Sequence, residues 1–532
     1  MESTSSKEFA KELLDYVNKS NVNFKQNRKT ESKAFKNKNR DTFLSDTFQP
    51  TPIPHITLLD IKITDRGRHI NLEDKLYLEN DSLFHMIRRG NTIIQNTQTK
   101  EIHIARVGLK KFYDYKKTYN KNDLTEQQME RRVLDPVKSS THPLSVYLTE
   151  KANGENCQIT YCGAFQCWII SSKNVSIAVR NENDIEWYET QASPKERYVF
   201  CIEFAKVWFD IVTNRIKDKI EEFKIEMNNY TLICESVGDL NRQHIKLYNK
   251  RDFLFYAIVN HLTLPEETCI SLQKAFELFK KYNLSYVPVE PSEKFNTYNE
   301  LKCYLDKQYD EIMLRTVDNG GEGCVVYFVE NCENGNERIL GLAKLKTFEY
   351  RMYRKLREKS KGITTEHAPS KDVLMGKIRK ESLDILEGNE SKLNFEEYMK
   401  FASFYFDFAL MDKEHKYMNV FAELIEDIKI RFKSGKEINI EFVDKIRNKY
   451  NEKLNFAKLE EDNKRIDALK QKQENIQHIQ PKKNNNKHKN KKKHKKGKTH
   501  KDEDDDKNDL NNNNNNINRS RESSEEDLDI DI

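Results

Sequence analysis

Lys151 opens the run Lys151-Ala152-Asn153-Gly154-Glu155, directly behind the apolar segment Pro143-Leu144-Ser145-Val146-Tyr147-Leu148. A lysine at the end of a strand, followed by small residues, can be held as a buried amine against a nucleotide phosphate. The amine is a nucleophile only when unprotonated, and burial or neighbouring cations lower its pKa toward that state. Lys-x-Asx-Gly alone also describes many plain surface turns, so the order of the charges around it decides the reading. Upstream stand Arg88-Arg89-Gly90 and Arg106-Val107-Gly108-Leu109-Lys110-Lys111-Phe112-Tyr113. Downstream come Lys173 in Ser171-Ser172-Lys173-Asn174, Glu235 in Leu232-Ile233-Cys234-Glu235-Ser236-Val237-Gly238, Glu322 in Gly320-Gly321-Glu322-Gly323-Cys324, and the pair Lys344-Leu345-Lys346. A carboxylate closing an apolar strand is costly unless paired or used. Lys344 and Lys346 alternate around Leu345, so on a strand both face one side. Two lysines beside a third would help hold one amine neutral, and would also hold a triphosphate.

The elements that must carry these residues are legible as texture. From about 55 to 350 the chain alternates short β-type runs with turns: His55–Leu59, Glu101–Ile104, Cys167–Ile170, Tyr198–Ile202, Thr231–Cys234, Phe253–Val259 and Cys324–Phe328. Helical inserts are expected at 210–227 and 266–282. The fold class is α+β with a largely antiparallel sheet. Ahead of it, residues 7 to about 19 read as an amphipathic helix with Phe9, Leu13, Leu14 and Val17 on one stripe, and a polar, basic stretch runs on to about 50. Between 366 and 460 the period becomes helical. Phe395, Tyr398, Met399, Ala402, Tyr405, Phe406 and Ala409 form one stripe, with Phe401, Phe404 and Phe408 on an adjoining face. Phe421, Leu424, Ile425, Ile428 and Phe432 form another. A small all-helical domain follows from this, its aromatic face read as core. Residues 465–532 are low complexity: a lysine-rich block from Lys482 to Lys501, an acidic patch, an Asn run and a Ser/Asp/Glu end. Such a tail cannot bury enough apolar surface to fold and is expected to be disordered. Its basic block could bind RNA or serve as a nuclear address, or be a solvated linker.

Composition bounds the compartment. The 91 basic and 86 acidic residues leave a formal net charge of only +5, yet the charges are unevenly placed. None of the nine cysteines forms a C-x-x-C pair, and Cys157, Cys162 and Cys167 recur at a spacing that fits no common zinc pattern. They read as core thiols of a reducing compartment. The first residues lack the apolar stretch of a signal peptide, and no apolar run approaches the roughly 18 residues of a membrane span. An intracellular protein without a membrane partner is expected, in nucleus or cytoplasm.

The ordered set of motifs resembles the nucleotidyltransferase superfamily of RNA and DNA ligases and capping enzymes, whose nucleophilic lysine lies in K-x-D/N-G. Within it, the chain is most similar to the bacteriophage RNA ligases that seal broken tRNA and to the ligase domain of fungal tRNA ligases. Those carry an Arg-Gly and then an Arg-x-x-x-Lys-Phe-Phe segment upstream. Arg89-Gly90 and Arg106 with Lys111-Phe112-Tyr113 stand in those places, and Lys-Ala-Asn-Gly is itself the fungal form of the motif. The resemblance spans about residues 80–350. It implies an antiparallel-sheet adenylyltransferase (ligase) domain at 51–362, after an N-terminal helix and linker at 1–50, with 366–460 where phage-type ligases carry a substrate-binding domain. It also implies an ATP-dependent RNA ligase that uses Mg2+ or Mn2+ and acts in tRNA splicing or RNA repair.

Residue by residue, the resemblance makes Lys151 the lysine that carries the nucleotide, with Gly154 completing its motif. Arg89 and Lys111 would contact the nucleotide, and Lys173 its sugar or phosphates. Glu235 would bind the ribose or orient the site, and Glu322 would assist the metal and the lysine amine. Lys344 and Lys346 would bind the phosphates and stabilise charge in transfer. Asn153 departs from the phage pattern, where a carboxylate is usual, so hydration of the metal ion is expected to differ. No G-x-x-x-x-G-K-[S/T] loop occurs, so a P-loop kinase that heals RNA ends would have to act in trans, and a phosphodiesterase is expected to be a separate protein as well. A capping guanylyltransferase or DNA ligase shares the lysine chemistry but normally continues into an OB-fold. A non-catalytic RNA-binding protein would carry no covalent nucleotide.

Overall fold

In the computed structural model the described residues are 6–30, 43–45, 47–64, 76–78, 80–115, 126–238, 244–262, 267–333, 335–363, 368–386, 393–413 and 420–451. The described residues up to Arg447 form one compact unit. The tail read at 465–532 lies outside the described residues, as does most of the polar stretch before 50. The strands begin with β1 (Phe43–Leu44), β2 (Gln49–Pro50), β3 (Ile56–Ile61), β4 (Ile63–Thr64), β5 (Asn91–Asn96), β6 (Ile102–Arg106) and β7 (Tyr113–Asp114). Then come β8 (Leu144–Glu150), β9 (Glu155–Cys162), β10 (Cys167–Ser172), β11 (Ser176–Val179) and β12 (Tyr230–Val237). β13 (Asp252–Asn260), β14 (Glu293–Phe295), β15 (Gly323–Asn331) and β16 (Glu337–Lys346) complete them.

Three sheets matter. One has the order β2-β3-β5-β6, a second β11-β10-β9-β12-β13 and a third β14-β8-β15-β16-β7. All their pairings are antiparallel except β16 with β7. The α+β expectation therefore stands. The first two sheets close over a core of Ile53, Ile56, Leu58, Ile94, Ala105, Cys162, Cys167, Ile169 and Ala178. Both recurrent cysteines in that list are buried free thiols, used as small apolar side chains. On the far side of the second sheet, Trp168, Trp208, Phe223, Phe255 and Tyr282 pack edge to face or tilted.

One expected strand is not a strand. Tyr198–Ile202 forms the end of a 3-10 turn and the start of the helix Val199–Ile211. Five β-type residues dominate a short window, but over the longer one Cys201, Phe204, Ala205, Trp208 and Ile211 are buried at three- and four-residue steps. The expected inserts become the helices Ile220–Glu226 and Leu272–Lys281. The N-terminal helix is longer than its stripe suggested, Ser6–Thr30, and buries Ala10, Leu13 and Val17 against β6.

After β16 the chain turns helical at once. Thr347 caps the helix Phe348–Lys361 by accepting from Tyr350 N. The helices Lys371–Leu386, Phe395–Met411 and Phe421–Lys433 follow. Phe395–Met411 is buried on two sides, as its double stripe requires, with Met399, Phe401, Ala402, Tyr405, Phe406 and Phe408 all enclosed. It meets the helix Phe348–Lys361 through Phe348–Tyr398 and Tyr353–Phe401 ring contacts and a bond from Tyr405 to Ser360 of 2.9 Å.

Candidate active site

Lys151 is where the chain leaves the third sheet for the second. β8 pairs with β15 as far as Glu150↔Cys324, and Lys151 N–H extends the ladder to Gly323 O at 2.8 Å. Gly323 has φ +136°, and a Cβ there would fall 2.0 Å from Leu345 O. The crossing is made at Gly154, where a Cβ would fall 2.3 Å from Ser236 O on β12. Only glycine lets the Lys151 loop lie this close to the strand carrying Glu235.

The side chains converge. Lys151 Nζ lies 2.8 Å from Glu322 Oε2, with both side chains almost fully enclosed. The other Glu322 oxygen is 3.4 Å from Lys346 Nζ, which also lies 3.8 Å from Asp114 Oδ1. β15 and β16 pair Gly323↔Lys346 and Val325↔Lys344, so the two lysines project from one face as their alternation requires. Lys344 Nζ stands 4.9 Å over the Phe112 ring and Lys111 Nζ 5.6 Å over Tyr113. Lys111, Lys151, Lys344 and Lys346 are all buried. Glu235 lies opposite Asn156 and Leu254 in its sheet. It is buried, and its Oε2 has no hydrogen-bond partner among the described residues.

The charges sort themselves by neighbour. Burial lowers the Lys151 pKa, but Glu322 and Glu235 outweigh it and the net shift is upward. Two lysines beside a third are expected to help hold one amine neutral; that amine is not Lys151, whose ion pair with Glu322 favours the ammonium. The amine held well below the usual lysine value is Lys344, through burial and then Lys346. Lys346 is shifted up, since Asp114 and Glu322 overcome its burial. Burial would raise Glu322, but Lys151 and Lys346 bring it below the ordinary carboxylate range. Glu235 is pushed well up by burial, only partly opposed by Lys151. Two carboxyl groups of one site are thus pushed in opposite directions, Glu322 toward the anion by its lysines and Glu235 toward the acid by burial.

Other expected residues sit at the edge of this cluster. Arg106 is wholly buried and fully engaged: Nε donates to Thr92 Oγ1 at 2.9 Å, and Nη1 to Ser172 O at 2.6 Å and Gln158 Oε1 at 3.3 Å. Asp60 lies 3.6 Å from Nη2. This guanidinium joins the first sheet to the second. Arg89 is half-buried, bridges to Leu109 through its backbone, and accepts from Gln158 Nε2 at 3.0 Å. Lys173 is half-buried in the turn between β10 and β11. Asn153 Oδ1 accepts from Ile245 N at 2.7 Å and Lys246 N at 3.0 Å.

Three site residues escaped the sequence reading. Asp114 directly follows Lys111-Phe112-Tyr113, and the need of Lys346 for a second carboxylate could have pointed to it. Tyr350, 5.8 Å under Lys346 Nζ, lies in the first turn after the lysine pair. Tyr248 carried no signal, because a fold-dependent loop return brings it in. No group of three His, Cys, Asp or Glu that could hold a metal occurs among the described residues, and no helix among them is long and apolar enough to cross a membrane.

Residues 144–346, from the first residue of β8 to the last of β16, match the family model described as RNA ligase. Over this stretch the chain is similar to the RNA ligase family. The match takes in Lys151, Lys173, Glu235, Glu322, Lys344 and Lys346, and leaves out Arg89, Arg106 and Lys111. No curated protein matches. Among solved structures, an archaeal ATP-dependent RNA ligase is 12% identical over 75% of this chain and 80% of its own, with a TM-score of 0.36. A putative ATP-dependent DNA ligase from Aquifex aeolicus is 12% identical over 59% and 71%, at 0.32. An RNA ligase from Naegleria gruberi, in a mutant solved with ATP and Mn, is 10% identical over 59% and 96%, at 0.27. TM-scores of this size support no reasoning from those structures to this one. The matched segment ends just before the helix Phe348–Lys361 begins.

Proposed function

We propose that the protein is an ATP-dependent RNA ligase that joins a 5′-phosphate to a 3′-hydroxyl through a lysine–AMP intermediate on Lys151, in tRNA splicing or RNA repair. The observation that carries the proposal is the 2.8 Å pair of Lys151 with Glu322 inside a ring of buried lysines. So many enclosed ammonium groups are costly unless an anion joins them, and a triphosphate supplies that charge. An orphaned carboxyl oxygen of this site, Glu235 Oε2, suits a sugar hydroxyl.

For transfer, the Lys151 amine must first lose its proton and part from Glu322. Its nitrogen then bonds to the α-phosphorus of ATP as the bond to pyrophosphate breaks. Lys344 and Lys346 neutralise the phosphate oxygens during this displacement, which is the main service a site offers phosphoryl-type chemistry. An oxygen of the RNA 5′-phosphate next takes AMP from the lysine nitrogen, and the amine regains its proton. The 3′-hydroxyl of the second end finally attacks the activated phosphorus and releases AMP. Arg89, Lys111 and Lys173 would bind the nucleotide at the rim.

Magnesium or manganese fits this donor set in one way: held by the single carboxylate Glu322 with phosphate oxygens and water, as these ions commonly are. Such an ion would neutralise phosphate charge. The helical segment at 366–460 is assigned RNA recognition, and end-healing kinase and phosphodiesterase activities are assigned to other proteins.

Incubation with a 5′-phosphate, 3′-hydroxyl RNA and either ATP or GTP tests the reading. Sealed RNA is expected with ATP. Transfer of GMP to RNA, or sealing of nicked DNA alone, would replace it with a capping or DNA-joining activity.

A further inference from the structure

Asn153 is the residue of the Lys-Ala-Asn-Gly run whose side chain is already spent inside the protein. Its Oδ1 accepts from two successive backbone amides, Ile245 N at 2.7 Å and Lys246 N at 3.0 Å. Its own backbone N–H donates to Tyr248 Oη at 2.9 Å. A fourth tie joins the same segments, because the Lys246 ammonium pairs with Glu150, the residue before the nucleophile. Lys246 Nζ also lies 5.4 Å from the Tyr248 ring. Burial raises the Tyr248 hydroxyl, and Glu150, Glu235 and Glu322 all add to that shift, so the ring stands within the field of the catalytic carboxylates.

We propose that Asn153 and Tyr248 form a latch that fastens the segment 244–248 to the nucleophile loop, making both positioning residues for Lys151. This rests on the nucleotidyl-transfer reading above. An amide oxygen accepting two N–H groups is saturated as an acceptor, so Asn153 does not organise a metal ion. Each end of the loop is fixed: Lys151 N to Gly323 O on one side and Asn153 to the 244–248 segment on the other. Between two such anchors the lysine side chain has one direction to take, toward Glu322. Releasing one anchor frees the loop without removing any group that touches substrate.

The test uses the full chain and two readouts. Hydrogen exchange of the peptide spanning 244–248 reads the latch without catalysis. Asn153→Ala is expected to expose the Ile245 and Lys246 amides, and Asn153→Asp, whose carboxylate accepts the same two bonds, is expected to keep them protected. Unchanged protection in Asn153→Ala overturns the latch even if the protein joins no RNA. The second readout is the rate of adduct formation from labelled ATP. Asn153→Ala is expected to lower the maximal rate about tenfold to a hundredfold, the scale of a misplaced nucleophile, with the ATP concentration for half-maximal rate little changed. Asn153→Asp is expected to restore most of the rate at the same magnesium requirement. Tyr248→Phe, which removes a single bond, is expected to fall between. A wild-type rate in Asn153→Ala, or a shifted magnesium requirement in Asn153→Asp, overturns the positioning role. Absence of any adduct in the wild type sinks the transfer reading instead, and the exchange result still decides the latch.

Discussion

Glu322 divides its two oxygens between Lys151 at 2.8 Å and Lys346 at 3.4 Å, and this division bears on how Lys151 responds to pH. Lys151 titrates above the ordinary lysine value because Glu322 and Glu235 outweigh its burial. A raised pKa means that the neutral amine is the minority form throughout the neutral range and grows with pH. Adduct formation measured at saturating ATP is therefore expected to rise with pH between about 6 and 8, by ~tenfold per unit at the limit. A flat profile across that range would show that the Lys151–Glu322 pair is not what restrains the amine. Which lysines gather was legible in the sequence, because a strand-end lysine and an alternating lysine pair fix both position and facing. Their protonation was not. It depends on a carboxylate that arrives 171 positions later in the chain, at a distance no spacing encodes.

At the scale of elements, the helix Phe421–Lys433 is tied to the strand that delivers Glu322. Glu349, in the first turn after Thr347, accepts from Val317 N at 2.5 Å and from Tyr353 Oη at 2.5 Å, and lies 3.7 Å from Lys429 Nζ. Val317 begins the short helix Val317–Gly320, which runs directly into Gly321 and Glu322. Lys429 is buried and stacks 4.7 Å from the Tyr353 ring. Lys429→Met leaves a buried carboxylate without its cation and is expected to cost about 2 kcal/mol. Thermal unfolding of the full chain checks this, and an unchanged midpoint would count against the coupling. The helical stripes of this region were plain in the sequence, since Phe395–Met411 repeats its aromatic residues at helical steps. Tyr198–Ile202 misled, because a five-residue window of β-type residues cannot show the period that Phe204, Trp208 and Ile211 reveal. Neither reading could bring Lys429 and Val317 to the same Glu349 carboxylate, an arrangement that exists only once sheets and helices are in place.

For the whole molecule, the charge is segregated. The segment 144–346 buries Lys151, Lys344 and Lys346, while Lys482–Lys501 carries a second basic block far along the chain. The two are assigned separate tasks, nucleotide chemistry for the first and sequence-blind RNA attraction for the second. A chain lacking 465–532 is expected to form adduct at the full rate but to bind RNA more weakly, with a shallower dependence on salt. Filter binding across a salt series reads this directly, and an identical slope with and without the tail would remove its RNA role.

The central claim is a covalent bond at one nitrogen. After incubation with ATP labelled at the α-phosphate and a divalent cation, a denaturing gel is expected to show label on the intact protein and none on Lys151→Ala. Label on that variant equal to the wild type would place the nucleotide elsewhere and contradict the account.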